Sequence, residues 1–313
     1  MPRPPVVDDY ALNDANAIRL ATSWGCNLCS WKVNGQELMY CPPDYPAEAF
    51  KITGGGNPLL FPAVGRTWDL SSEPPVAGPW RLAGDDKVYN IPSHGFLYLC
   101  GWRKTEETRN ADSLSVAYEA VIPEEVFTSI YPFQVGFSHR YTVRDGALDL
   151  EATLTNRGDR PAPAAFGYHP YFRISSASRE GVEARLPVRS QILLTPDTIL
   201  PTGETIPATG VIPLKPDVYY DDSFEDLTGN RMSLIDRPAG HAIHVDFDDS
   251  FTLMTAYAPD GSEFFCIEPW TPGLGGFGHL GEPGWESGRH IPVLAPGETR
   301  RHRATFSVEP MRG

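Results

Sequence analysis

Three observations predict an all-β fold, a large antiparallel β-sandwich. Apolar residues recur at period two through several segments. Turns rich in Gly, Pro and Asp separate those segments about every ten residues. No stretch carries a 3.6-residue apolar period far without a proline or glycine breaking it.

The pattern is plainest at 147–154, where Leu148, Leu150, Ala152 and Leu154 point one way and Asp149, Glu151 and Thr153 the other. Before it, Phe137, His139, Tyr141 and Val143 alternate with Ser138, Arg140, Thr142 and Arg144, and Asp145-Gly146 is expected to supply the positive φ angles of a tight hairpin. A second hairpin rises over 252–258, turns at Pro259-Asp260-Gly261-Ser262 and returns over 263–268. Segments 114–121, 242–247 and 305–308 are further strands, and 21–33 reads as extended. Segments 69–90, 175–186 and 272–292 read as loops, which on a β scaffold commonly line binding sites. The last holds Gly273, Gly275, Gly276, Gly278, Gly281 and Gly284 and suits a flexible rim.

Composition bounds the function. A sandwich of 313 residues can be one domain, so a single unit over 1–313 is expected, and 41% hydrophobic residues suffice for its core. The 31 prolines and 29 glycines lie between apolar runs rather than in a tract, which suits turns rather than disorder. A net charge of −14 without a basic cluster argues against nucleic-acid binding. No apolar run is long enough to span a membrane. The opening Met1-Pro2-Arg3-Pro4-Pro5 has no apolar signal region, so a cytoplasmic home is expected. Cysteines 26, 29, 41, 100 and 266 are odd in number, which favours reduced thiols. Cys26 and Cys29, three apart on an extended segment, would point to opposite faces and are read as structural. His241 and His244 are too closely spaced to argue for a metal, and Asp246 and Asp248 complete no ligand pattern; no metal and no cofactor are expected.

Two stretches carry chemistry. Phe166-Gly167-Tyr168-His169-Pro170-Tyr171-Phe172 places a histidine at a strand end, where Pro170 ends regular pairing. Cys266-Ile267-Glu268-Pro269-Trp270 places a carboxylate in line with Phe264 and Cys266, which is costly unless the carboxylate is partnered. Brought together beside rings that stack on a sugar, the two form a general acid–base pair. Read singly, His169 could equally be a packed histidine bonded to a carbonyl, and Glu268 a strand-end residue emerging into solvent. Gly54-Gly55-Gly56-Asn57-Pro58-Leu59-Leu60-Phe61-Pro62 leads to Gly65-Arg66 but lacks the context of a phosphate loop. His94-Gly95-Phe96 opens a segment ending at Trp102. Tyr219-Tyr220-Asp221-Asp222-Ser223-Phe224 sets two acids beside aromatics, although a loop Asp making an Asx turn is the plainer reading.

Taken in order, these motifs resemble the aldose 1-epimerase (galactose mutarotase) family, from about residue 15 to 308; the 25–37 stretch, followed by Leu38, is similar to that family's first hairpin. The resemblance implies the galactose mutarotase-like supersandwich, with Glu268 as general base, His169 as general acid, and Arg66, His94 and Asp221 holding the sugar, Asp221 preferred over Asp222. It implies interconversion of α and β anomers of a free sugar, with the acid and the base approaching either flank of one pyranose. The branch acting on hexose 6-phosphates typically carries arginines where this chain has Gly54 and Tyr98. Losing them removes bidentate phosphate partners, so a neutral aldose is favoured over a phosphosugar, with Arg81 or Arg103 as conceivable substitutes. A monomer or homodimer is expected. Two rivals are a glycoside hydrolase pairing Glu268 with Asp221, and a non-catalytic sugar sensor on the same scaffold.

Overall fold

A computed structural model describes residues 6–42, 54–69, 72–175 and 179–311. The opening residues 1–5, read above for a targeting signal, lie outside the described residues, as do positions 70–71 and 176–178 of the two predicted loops.

Two large antiparallel sheets dominate. One holds nine strands in the order Gly101–Arg109, Ser113–Val121, Val135–Arg144, Ala147–Asn156, Thr299–Pro310, His241–Phe247, Arg231–Asp236, Val182–Arg185 and Val211–Pro213. The other runs Pro201–Pro207, Val188–Leu194, Tyr220–Leu227, Leu253–Ala258, Phe264–Trp270, Gly167–Tyr168 and Leu59–Leu60, with Tyr171–Arg173 also pairing with Phe264–Trp270. A four-stranded sheet over Val7–Ala11, Ala17–Ala21, Asn27–Val33 and Gln36–Glu37 joins the same core. This is a β-sandwich, as the period-two pattern predicts. Aromatic contacts between the two large sheets mark its middle: Phe137 meets Phe166 at 5.6 Å and Phe172 meets Phe306 at 5.2 Å.

Several local expectations need correction. Gly146 takes φ +65° but Asp145 does not take a positive φ, so the hairpin joining Arg144 to Ala147 draws on one left-handed residue rather than two. Residues 22–26 form a turn within the stretch read as extended, which puts Cys26 at φ +53°. The predicted loop 69–90 folds into short hairpins with strands at Trp68–Asp69, Val76–Ala77, Pro79–Arg81 and Val88–Asn90. The strand Val182–Arg185 occupies most of the end of the loop read at 175–186. Both stretches are rich in turn formers; the strands of the first pair locally, whereas Val182–Arg185 finds its partners at Val211–Pro213 and Arg231–Asp236, which local sequence does not reveal. The described cysteines are free thiols.

Candidate functional site

The strand Phe264–Trp270 is buried at every position, unlike a strand with one wet face. Its register sets the site. Gly167 pairs with Trp270 and Tyr171 with Cys266, so His169 falls opposite Glu268. On its other side Thr255 pairs with Glu268, and Ser223 with Thr255. Ser223, Thr255, Glu268 and His169 therefore form one row across four chain segments. Alternation keeps Phe166, Tyr168 and Phe172 toward the core while His169 and Tyr171 share the other face, their rings stacked 8° from parallel at 4.7 Å.

That row floors an open cavity of about 260 Å³. All five residues predicted from sequence line it: Arg66, His94, His169, Asp221 and Glu268. Asp221 belongs to the strand Tyr220–Leu227 rather than to an Asx turn. Asp222, the alternative, points away and accepts a hydrogen bond from Gln191 Nε2 at 2.8 Å. Arg81 and Arg103 are not among the lining residues; Arg103 pairs with Glu119 at 2.9 Å.

His169 and Glu268, expected as acid and base on either flank of a sugar, do not stand on opposite sides of the cavity. His169 Nε2 lies 3.4 Å from Glu268 Oε1, side by side in the floor. Adjacent strands deliver them, and the strand spacing leaves no room for a sugar ring between. Nor does Glu268 emerge into solvent: it is 0% exposed. Its Oε2 accepts the Trp270 Nε1–H at 3.1 Å, while Oε1 has no hydrogen-bond partner among the described residues. His169 Nδ1 is likewise without a partner, so this is not a histidine bonded to a carbonyl. Buried polar atoms left open in a cavity floor are what a polar ligand would satisfy.

Electrostatics follow from burial. Desolvation pushes Glu268 well above the usual carboxylate range, and the nearby Asp221 adds to it, while the Trp270 N–H works against both. Burial drives His169 well below the ordinary imidazole value, with His94 contributing. Each group resists charge, which favours an uncharged pair with one proton between the two. Burial likewise lowers His94 to about 4, and Arg66 pushes the same way. His94 is therefore neutral. Its Nδ1 accepts the Gly65 N–H at 3.1 Å, which leaves the ring proton on Nε2 as a donor. Burial raises Asp221, opposed by a 3.4 Å hydrogen bond from Tyr219 and by Arg66.

The glycine-led segment holds this floor in place. Asn27 Oδ1 accepts the Asn57 N–H at 2.7 Å, and Asn57 Oδ1 accepts the His169 N–H at 3.0 Å. Gly95, at φ +84°, lies so close to Phe61 that a Cβ would sit 1.9 Å from the Phe61 carbonyl oxygen, which locks the His94 segment to the 59–66 stretch. Trp270, Asn57, Tyr257, Ser223 and Thr255 escaped the sequence reading as site residues. Trp270 was in plain view beside Glu268, but nothing local shows which way an indole N–H points.

The profile of the aldose 1-epimerase family matches residues 9–307. Among solved structures, a protein from Synechocystis is similar at 22% identity with TM-score 0.81, the alignment covering 99% of this chain and 97% of that one. A galactose mutarotase-like protein from Clostridium acetobutylicum shares 16% identity at TM-score 0.77, covering 98% and 99%. A galactose 1-epimerase from Lactobacillus acidophilus shares 13% at TM-score 0.71, covering 99% and 100%.

Proposed function

We propose, from the premise that the chain belongs to the aldose 1-epimerase family, that it interconverts the α and β anomers of a neutral free aldose by acid–base ring opening. The observation that carries this reading is the buried His169–Glu268 pair, 3.4 Å apart with one unsatisfied atom on each side chain. A hemiacetal bears its hydroxyl and its ring oxygen on the same carbon. Two proton-transfer groups set side by side suit two oxygens so joined better than groups facing each other across a ring would.

In the reactive state Glu268 is the carboxylate and His169 the imidazolium. Burial favours the other tautomer, with the proton on Glu268; the Trp270 N–H and the sugar's hydroxyls draw it toward His169. Glu268 takes the proton of the C1 hydroxyl, His169 gives its proton to the ring oxygen, and the bond from C1 to that oxygen breaks. The open-chain aldehyde rotates about C1–C2, and closure from the other face returns both protons. His94 Nε2–H and Arg66 donate to sugar oxygens and Asp221 accepts.

A neutral substrate is favoured because Arg66 is the one arginine or lysine among the described lining residues, facing two carboxyl groups. A phosphate dianion calls for a cluster of bidentate donors. The test is polarimetry or NMR of freshly dissolved glucose, galactose and other aldoses, with glucose 6-phosphate alongside. Faster equilibration of a free aldose at neutral pH is expected. No acceleration with any aldose overturns the reading, and release of reducing sugar from a glycoside transfers the pair to hydrolysis.

A further inference from the structure

The loop following the glutamate strand holds a second cluster of ligating side chains, none of which lines the cavity. His279 ends a 3₁₀ turn at Gly276–His279, Glu282 follows three residues later, and His290 returns from the far side of the loop. One ligating atom from each lies within 4.8 Å of the other two. His279 Nδ1 is 2.8 Å from Glu282 Oε1, and the two imidazoles stack at 4.0 Å, 14° from parallel.

We propose that His279, Glu282 and His290 form a zinc site that ties the loop into a closed hoop. Two imidazoles and one carboxylate suit a first-row divalent ion, with the exposed side left for water. Zinc bonds of about 2.0–2.1 Å set ligand atoms roughly 3.3 Å apart. Binding would turn the two imidazoles out of their stack, so that both in-plane lone pairs converge on the ion.

The backbone under the cluster is fixed rather than accidental. Gly276 approaches the His290 carbonyl so closely that a Cβ would come within 2.6 Å of its oxygen. Phe277 packs on Trp80 at 5.1 Å, and Leu280 O accepts the Ala83 N–H at 2.9 Å. Arg289 opposes a cation, and the Glu282 carboxylate offsets it. The same loop begins beside the cavity rim at Leu274, so a bound ion would also stiffen that rim.

The test titrates metal-free full-length protein with Zn²⁺ by calorimetry. One equivalent should bind, with affinity falling about tenfold or more in His279→Ala, His290→Ala and Glu282→Gln. Co²⁺ should give d–d absorption bands that His290→Ala abolishes. The near-isosteric Glu282→Gln keeps the test decisive if a histidine variant loses its fold. Absence of one-to-one binding, or wild-type affinity in all three variants, overturns the proposal. So does zinc inhibition with stoichiometry unchanged in those variants, which would assign the ion to His169, Cys266 and Glu268, whose ligand atoms also converge.

Discussion

At the scale of the residue, His169 and Glu268 matter as a pair that burial keeps short of charge. His169→Asn and Glu268→Gln are each expected to slow anomer equilibration by about 10²–10⁴-fold with folding intact, measured by polarimetry and circular dichroism. Near-wild-type rates in either variant sink the assignment. Trp270 acts on the pair without giving or taking a proton. Its N–H stabilises the Glu268 carboxylate and so lowers that group's pKa. Trp270→Phe should raise it, shifting the alkaline limb of the kcat profile upward while lowering kcat at the plateau. The sign follows because the one-proton pair then survives to higher pH, yet spends less time as carboxylate and imidazolium. A limb that stays put would show the indole to be mere packing. Sequence put His169, Glu268 and their aromatic setting in view. It could not show Glu268 sealed in a cavity floor, because exposure at a strand end depends on what packs over it.

At the scale of the element, register does the positioning. Gly167 sits opposite Trp270, and its missing side chain leaves space for the indole: a Cβ there would lie 2.5 Å from Trp270 Cδ1. Gly167→Ala should push the ring aside and break its bond to Glu268, reproducing the Trp270→Phe pH profile. A wild-type profile in that variant would disconnect the glycine from the site. Asn57 couples the glycine-led segment to the histidine turn. Asn57→Ala strands the buried His169 N–H and should cost about 1–3 kcal/mol in a urea melt. Strand interiors such as Ala147–Asn156 were legible from alternation, because one face meets the core and the other water. The short strands within 69–90 were not, since two- and three-residue strands have no period to read.

At the scale of the whole molecule, the sandwich buries histidines that play no part in the proposed chemistry. His139 and His302 are each 1% exposed, and burial lowers them to about 3 and about 4. Unfolded, they bind protons below about 6.5. The stability they contribute is therefore complete above that value and is lost as pH falls toward their folded values. Glu268 runs the other way, since the fold keeps it protonated above the ordinary carboxylate range. Two structural histidines, with His94 and His169 adding to them, outweigh Glu268 and the upward shifts of Asp221 and Asp222. The Tm at about pH 5 should lie on the order of 5 °C below that at about pH 7. A calorimetric scan with no drop, or a rise, contradicts this balance.

By itself the sequence determined the antiparallel sandwich, because alternation acts locally, while the five residues that line one cavity were picked out by the order of motifs resembling the aldose 1-epimerase family. Only the tertiary structure decided that His169 and Glu268 stand side by side, that Asp221 rather than Asp222 faces them, and that His279, Glu282 and His290 meet. Those facts depend on strand register and loop closure between distant segments, and a one-residue slip in pairing turns every side chain to the opposite face.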